Sequence, residues 1–131
     1  MLQNSQAFSS FSVNDLAKAK QFYSEILEQK VTEVGTMGLN LELATGANVF
    51  MFPIPDHVPA TFTVLNFPVD DIITAVDELI SRGITFVQYT GELQTDEKGI
   101  HWSDSKEHGP HNAWFKDPSG NFIAIVQEVT S

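Results

Sequence analysis

A chain of 131 residues, 42% of them apolar, can bury one good core, or two small half-domains sharing one, and is too short for separate large domains. Its net charge of −10, with only seven Lys and Arg, all dispersed, excludes the clustered cations that nucleic acid or an anionic membrane would require. No apolar run approaches the roughly 18 residues of a membrane helix, and the lack of cysteine excludes disulfides, thiolate metal sites and cysteine nucleophiles. The N-terminus has neither the basic start nor the long apolar core of a secretory signal, so a cytoplasmic protein is expected. The acidic balance serves solubility first, and it would also favour a cationic ligand.

Taken in order, Phe8, Phe11 and Val13 mark a first strand. Asp15 is a good helix N-cap, and Leu16, Ala19, Phe22, Tyr23, Ile26 and Leu27 follow at spacings of three and four, which predicts an amphipathic helix to about Glu28. Three short strands follow at 31–34, 39–43 and 49–52, separated by Gly35, Gly38 and Gly46, so a β-α-β-β-β module spans 5–53. Pro53, Pro55 and Pro59 interrupt any regular ladder and make 54–60 a linker.

The same pattern restarts over 61–129. Residues 61–69 predict a strand, and Asp71 caps a helix whose apolar stripe is Ile72, Ala75, Val76, Leu79 and Ile80, ended by Gly83 as a left-handed cap. A strand is expected at 84–88, a long loop at 89–110, and two more strands at 112–116 and 121–128. Shifting the first half by 56 positions lays Phe11 on Phe67, Val13 on Val69, Asp15 on Asp71, Leu16 on Ile72 and Ala19 on Ala75. Duplication explains these matches most simply, and chance likeness of two capped helices is the alternative.

The last two strands are joined by Asp117-Pro118-Ser119-Gly120-Asn121, in which Pro118 presets φ and Gly120 can take a positive φ, a hairpin turn. An aromatic followed by Asp-Pro-x-Gly-Asn and an alternating strand resembles the closing hairpin of the vicinal oxygen chelate superfamily, which groups glyoxalase I, extradiol dioxygenases, fosfomycin-modifying enzymes and bleomycin-binding proteins. The resemblance runs from Phe8 to Glu128. It implies a single α+β domain over 1–131, with two βαβββ modules forming an open, cupped, eight-stranded mixed sheet and the helices outside.

Metal-binding members of that superfamily carry one ligand on the first and one on the fourth strand of each module. The first is a histidine seven residues before the capping aspartate, and the last is a glutamate three residues after the hairpin Asn. The matching positions in this chain are Phe8, Met51, Val64 and Ala124. Phe, Met, Val and Ala supply one weak thioether among them, and no hard divalent ion is held by such a set. No metal or cofactor is therefore expected, and the superfamily's metal chemistry is not expected to carry over.

A period of two along the strands turns Phe8, Ser10, Ser12, Val49, Met51, Val64, Asn66, Phe122, Ala124 and Val126 into the cup if Phe8 faces inward. An apolar hollow with a few polar groups suits a small organic ligand, and the competing reading is that these side chains pack together and leave no space. The expected ligand-binding set is Phe8, Ser10, Met51, Val64, Asn66, Trp102, Phe122 and Ala124, with Tyr89 and Trp114 able to close over a ligand. His101, His108 and His111, with Glu107 and Glu92, could instead form an acid-base site in the long loop, although spacings of seven and three match no ligand motif. His57 reads as a solvated turn residue.

Three functions compete. The first is a metal-independent homodimeric receptor for a hydrophobic or aromatic molecule, cationic ones included, as in the bleomycin-binding branch. The second is a lyase, isomerase or dioxygenase-like enzyme using groups from the loop. The third is a dimeric interaction module with a filled cup.

Overall fold

The structure, a computed structural model, describes residues 1–130. The chain divides into two compact units, the first Met1–Pro59 and the second beginning at Ala60. Each is a βαβββ module with its own four-stranded mixed sheet, and neither sheet is closed, so the α+β class and the duplicated module are as expected. No helix among the described residues is long and apolar enough to cross a membrane.

In the first unit, β1 (Ser9–Val13), β2 (Lys30–Val34), β3 (Gly38–Glu42) and β4 (Asn48–Pro53) lie in the order β1-β4-β3-β2, with β1 and β4 parallel and the other pairs antiparallel. The helix α1 (Leu16–Gln21) starts where the Asp15 carboxylate accepts the Lys18 N–H at 3.1 Å. The capping aspartate thus satisfies one of the donors that a helix start leaves open.

The helix does not continue as a regular α-helix to Glu28. From Phe22 to Ile26 it widens into a π turn, closed by the Leu27 N–H donating to the Phe22 carbonyl at 3.1 Å. The extra residue in this turn accompanies burial of two consecutive aromatics, Phe22 and Tyr23, which meet edge to face at 5.3 Å. Tyr23 also meets Phe11 of β1 at 6.2 Å, so the β1 face bearing Phe11 is the face that packs on the helix.

In the second unit, β5 (Thr63–Pro68), β6 (Ile100–His101), β7 (His111–Lys116) and β8 (Phe122–Gln127) take the order β5-β8-β7-β6, with β5 and β8 parallel. Helix α2 (Ile72–Ser81) is capped by Asp71, which accepts from the Ile73 and Thr74 N–H groups and from the Thr74 hydroxyl. Gly83, at φ +96°, ends it as expected. Ile72 and Val76 are buried on the side of the sheet that carries Leu65, Ala113, Phe115, Ile123 and Ile125.

One expected strand is absent. Residues 84–88 run beside β7 with the Val87 N–H donating to the Trp114 carbonyl at 2.8 Å, but no ladder forms. The rest of that edge is taken by β6, which lies inside the segment read as a loop and pairs Ile100 with Ala113 and His101 with Asn112. Two short pieces thus share the edge of β7. They come so close that a Cβ on Gly99, at φ +93°, would stand 2.5 Å from the Cβ of Phe86, and only glycine fits there.

Candidate functional site

Strand registers decide which side chains share the helix-free face of each sheet, because residues paired across a ladder project to the same side. In the first sheet Phe11 pairs with Met51, and Met51 with Leu39. Met51 therefore lies on the helix side, wholly buried with Val13, Leu39, Leu41 and Val49. This corrects the expectation that Met51 and Val49 face the hollow. Ser10 pairs with Phe50 and Ser12 with Phe52, so the fourth strand contributes phenylalanines instead, their rings stacked at 6.2 Å.

Phe8 precedes β1 and is 66% exposed. His57, expected to be a solvated turn residue, is half-buried and lies 2.7 Å through Nδ1 from the Ser12 hydroxyl. Gly38 keeps this face flat, since a Cβ there would come within 2.7 Å of the Phe50 ring and 2.3 Å of the Met51 carbonyl oxygen.

The second sheet carries the better-defined arrangement. Across its helix-free face runs a row of Asn66, Ala124 and Trp114, from β5, β8 and β7. A second row holds Val126, Asn112 and His101, and on the other flank Phe122 pairs with Lys116, whose ammonium sits 5.3 Å from the Phe122 ring centre. Ala124, in the middle of its row between the exposed Asn66 and the part-buried Trp114, is itself wholly buried.

Tyr89 meets the Trp114 ring edge-on at 5.5 Å, and His101 lies beside it at 6.3 Å, tilted by 34°. Of the expected binding residues, Asn66, Phe122 and Ala124 thus share this face. Val64 sits at a β-bulge, where the β5–β8 register shifts between Thr63 and Leu65, so the ladder does not fix its direction.

The histidines of the long loop do not converge. His101 is on the helix-free face beside Trp114. Trp102 and His111 pack against each other at 4.9 Å, and His111 pairs with Gln127 in the register opposite to that of Asn112, so both lie off the face that Trp102 was expected to line. The Trp102 indole N–H donates to Asp96 at 3.0 Å. His108 is exposed on a short 3-10 turn with Glu107, its Nδ1 2.5 Å from Asp104. The hydrogen bond from His108 holds the Asp104 carboxyl below its ordinary pKa. Glu92 is exposed on another short turn.

Among the described residues no group of three His, Cys, Asp or Glu could hold a metal ion. The positions that the resemblance assigns to metal ligands carry Phe8, Val64 and Ala124, and the fourth strand of the first module offers Met51 on one side and Phe50 and Phe52 on the other. That donor set does not fit a hard cation. A groove of about 570 Å³ lies in the second unit beyond the ends of β5 and β8, lined by Asp70, Lys106, Val126 and Glu128 among others. It contains no aromatic side chain, whereas Trp114 on the helix-free face has Tyr89 and His101 beside it.

The sequence matches the model of the Glyoxalase/Bleomycin resistance protein/Dioxygenase superfamily over residues 7–125, and the chain belongs to that superfamily. Similar solved structures include a putative glyoxalase family protein from Bacillus anthracis, 17% identical with a TM-score of 0.69, covering 98% of this chain and 100% of that one. The fosfomycin resistance protein FosX from Listeria monocytogenes is 10% identical with a TM-score of 0.68, covering 94% and 92%. TnmS3, an antibiotic binding protein from Streptomyces sp. CB03234, is 21% identical with a TM-score of 0.63, covering 97% and 99%. At these identities the likeness is one of fold. No curated protein matches the sequence.

Proposed function

We propose that the chain is a metal-independent small-molecule receptor which takes an aromatic or hydrophobic ligand onto the helix-free face of its second sheet, against Trp114 and Asn66. The observation that carries this reading is the row from Asn66 to Trp114, which puts an exposed amide and a part-exposed indole, with Tyr89 edge-on against it, on one face. Binding would draw on burial of apolar surface at ~25 cal/mol per Å², with Asn66 fixing orientation. The charge of −10 favours cationic ligands at long range. Sequestration of a drug-like molecule is the form this activity would take, working in the cytoplasm as a single-domain subunit of a homodimer. An enzyme built from His101, His108 and His111 has less support, because these side chains are dispersed.

The test uses a Trp102→Phe variant, in which Trp114 is the sole tryptophan. Titration with naphthalene-type compounds should quench its emission saturably, and Trp114→Phe/Asn66→Ala in the wild-type background should weaken binding measured by calorimetry. Unchanged emission of Trp114 under saturating ligand, with heat of binding still evolved, would place the site elsewhere.

A further inference from the structure

The groove beyond the ends of β5 and β8 is a concave feature that the receptor reading leaves unused. At about 570 Å³ it has the size of a small-molecule pocket. Its apolar lining is Pro68 and Val126, paired across β5 and β8, together with Val69, Pro110 and Val129. Several main-chain groups here are already engaged. Pro68 and Pro110 have no N–H, the Val69 N–H donates to the Val126 carbonyl at 2.8 Å, the Gly109 N–H donates to the Lys106 carbonyl at 3.3 Å, and the Pro110 carbonyl accepts from the Asn112 amide at 3.0 Å. Gln127 accepts the Ile72 N–H at 2.8 Å through its side-chain oxygen, and Asp71 takes the next two N–H groups of α2, which closes the helix start to an anion.

Three charged side chains border the groove: Asp70, Glu128 and Lys106. All are exposed, and none forms an ion pair or a side-chain hydrogen bond among the described residues. Asp70 and Glu128 each stand two residues past the parallel pair of Pro68 and Val126, so both carboxylates leave the same end of adjacent strands. Lys106 comes from the short turn ahead of β7. We infer that this groove is a binding site for amphiphilic amines, which lay an apolar body on Val126, Val129 and the two prolines and bring an ammonium group to Asp70 and Glu128. Two carboxylates outweigh one ammonium, and the charge of −10 adds attraction from a distance. Exposed carboxylates hold a cation weakly, so the apolar body supplies affinity and the charges supply choice. The site is independent of the receptor reading, since it lies past the Asn66-Trp114 row and uses none of its side chains.

The experiment compares 4-phenylbutylamine with 4-phenylbutanol, which share the apolar body and differ in charge, by two-dimensional NMR of the whole chain at neutral pH. The Val126 and Val129 amides report on the groove, and the Trp114 indole reports on the proposed receptor face. The expected result is saturable shifts at Val126 and Val129, with the amine preferred roughly three- to tenfold, the worth of one or two exposed ion pairs. Asp70→Asn/Glu128→Gln should remove the preference while the alcohol still binds. Lys106→Gln, which removes the like charge, should instead strengthen amine binding about two- to threefold. Opposite effects on the amine with none on the alcohol separate charge recognition from a change in folding. Equal affinity for the two compounds in the unsubstituted protein, a preference that survives the double substitution, or no shift at Val126 and Val129 with either compound would overturn the inference. Each of these outcomes leaves the receptor reading to its own test at Trp114.

Discussion

Asp117 and Asn121 are bound to each other inside the terminal hairpin through backbone and side chain: the Asp117 carboxylate accepts the Asn121 backbone N–H at 2.8 Å and its side-chain amide at 3.2 Å, and the Asp117 N–H donates to the Asn121 carbonyl at 2.9 Å. Both residues are buried, and Asp117 also accepts the Ser119 N–H at 2.9 Å. From the far side, the Asn121 side-chain oxygen accepts the Ala60 N–H at 3.4 Å, which ties the first residue of the second unit to its last hairpin. The hairpin sets the antiparallel register of β7 and β8, and that register brings Trp114 opposite Ala124.

Asp117→Ala leaves several buried donors without an acceptor. The expected cost is about 3 kcal/mol, read as a fall in the urea midpoint with unchanged slope. A loss under about 0.5 kcal/mol, the size of an ordinary surface substitution, would contradict the role given to this contact.

Met51 provides a check on the register of the first sheet. It is wholly buried against Phe11 and Leu39 on the helix side. Met51→Ala should therefore cost about 2–5 kcal/mol of stability while leaving ligand affinity within twofold, about the scatter of such measurements. A variant of normal stability with impaired binding would return Met51 to the hollow.

Asp96 supplies a pH signature. Burial acts to raise its pKa, but hydrogen bonds from the Ile100 N–H, the Trp102 indole and the Lys98 N–H outweigh it and hold the carboxyl below its ordinary value of 3.8. A depressed folded-state pKa stabilises the fold above the unfolded value, and that contribution is lost as the pH falls through the lowered one. Asp96→Asn should thus melt several degrees below wild type at neutral pH, and the gap should close as the pH drops below 3.8. A gap that stays constant to acid would show that the carboxylate's charge is irrelevant.

The missing donors can be restored in part. Val64→His with Ala124→Glu puts two ligands into the second unit, yet Phe8 and the fourth strand of the first module still offer hydrocarbon or thioether. Two ligands without a third do not complete a tetrahedral site. The double variant should lose zinc on dialysis, as measured by elemental analysis. Stoichiometric zinc would refute the matching of these strands to the superfamily's ligand positions.

The parts of this fold that depend on local signals were readable from the chain. Asp15 and Asp71 cap their helices, Gly83 ends the second, and the Pro-Ser-Gly turn joins β7 to β8, because each rests on neighbours in sequence. The face of the second sheet was also within reach. Counting outward from the hairpin pairs Trp114 with Ala124 and Asn112 with Val126.

What escaped depends on distant partners. The parallel pairing of β1 with β4 is set across an intervening helix and two strands, so no local spacing showed that Phe50 and Phe52, and not Met51, share a side with Ser10 and Ser12. Residues 84–88 have the alternation of a strand, but β6 occupies part of the edge they would need. His101, Trp102 and His111 look like a cluster in one dimension and separate because the strand's period sends neighbours to opposite faces.

The central claim is binding without a metal, and one titration addresses it most directly. The Trp102→Phe protein, treated with EDTA and desalted, is titrated with 2-naphthol by Trp114 fluorescence, before and after addition of zinc, nickel, manganese or ferrous iron. The account predicts saturable quenching by the stripped protein with a Kd that none of these ions changes. Binding that appears only when an ion is returned, with that ion retained stoichiometrically, would contradict it.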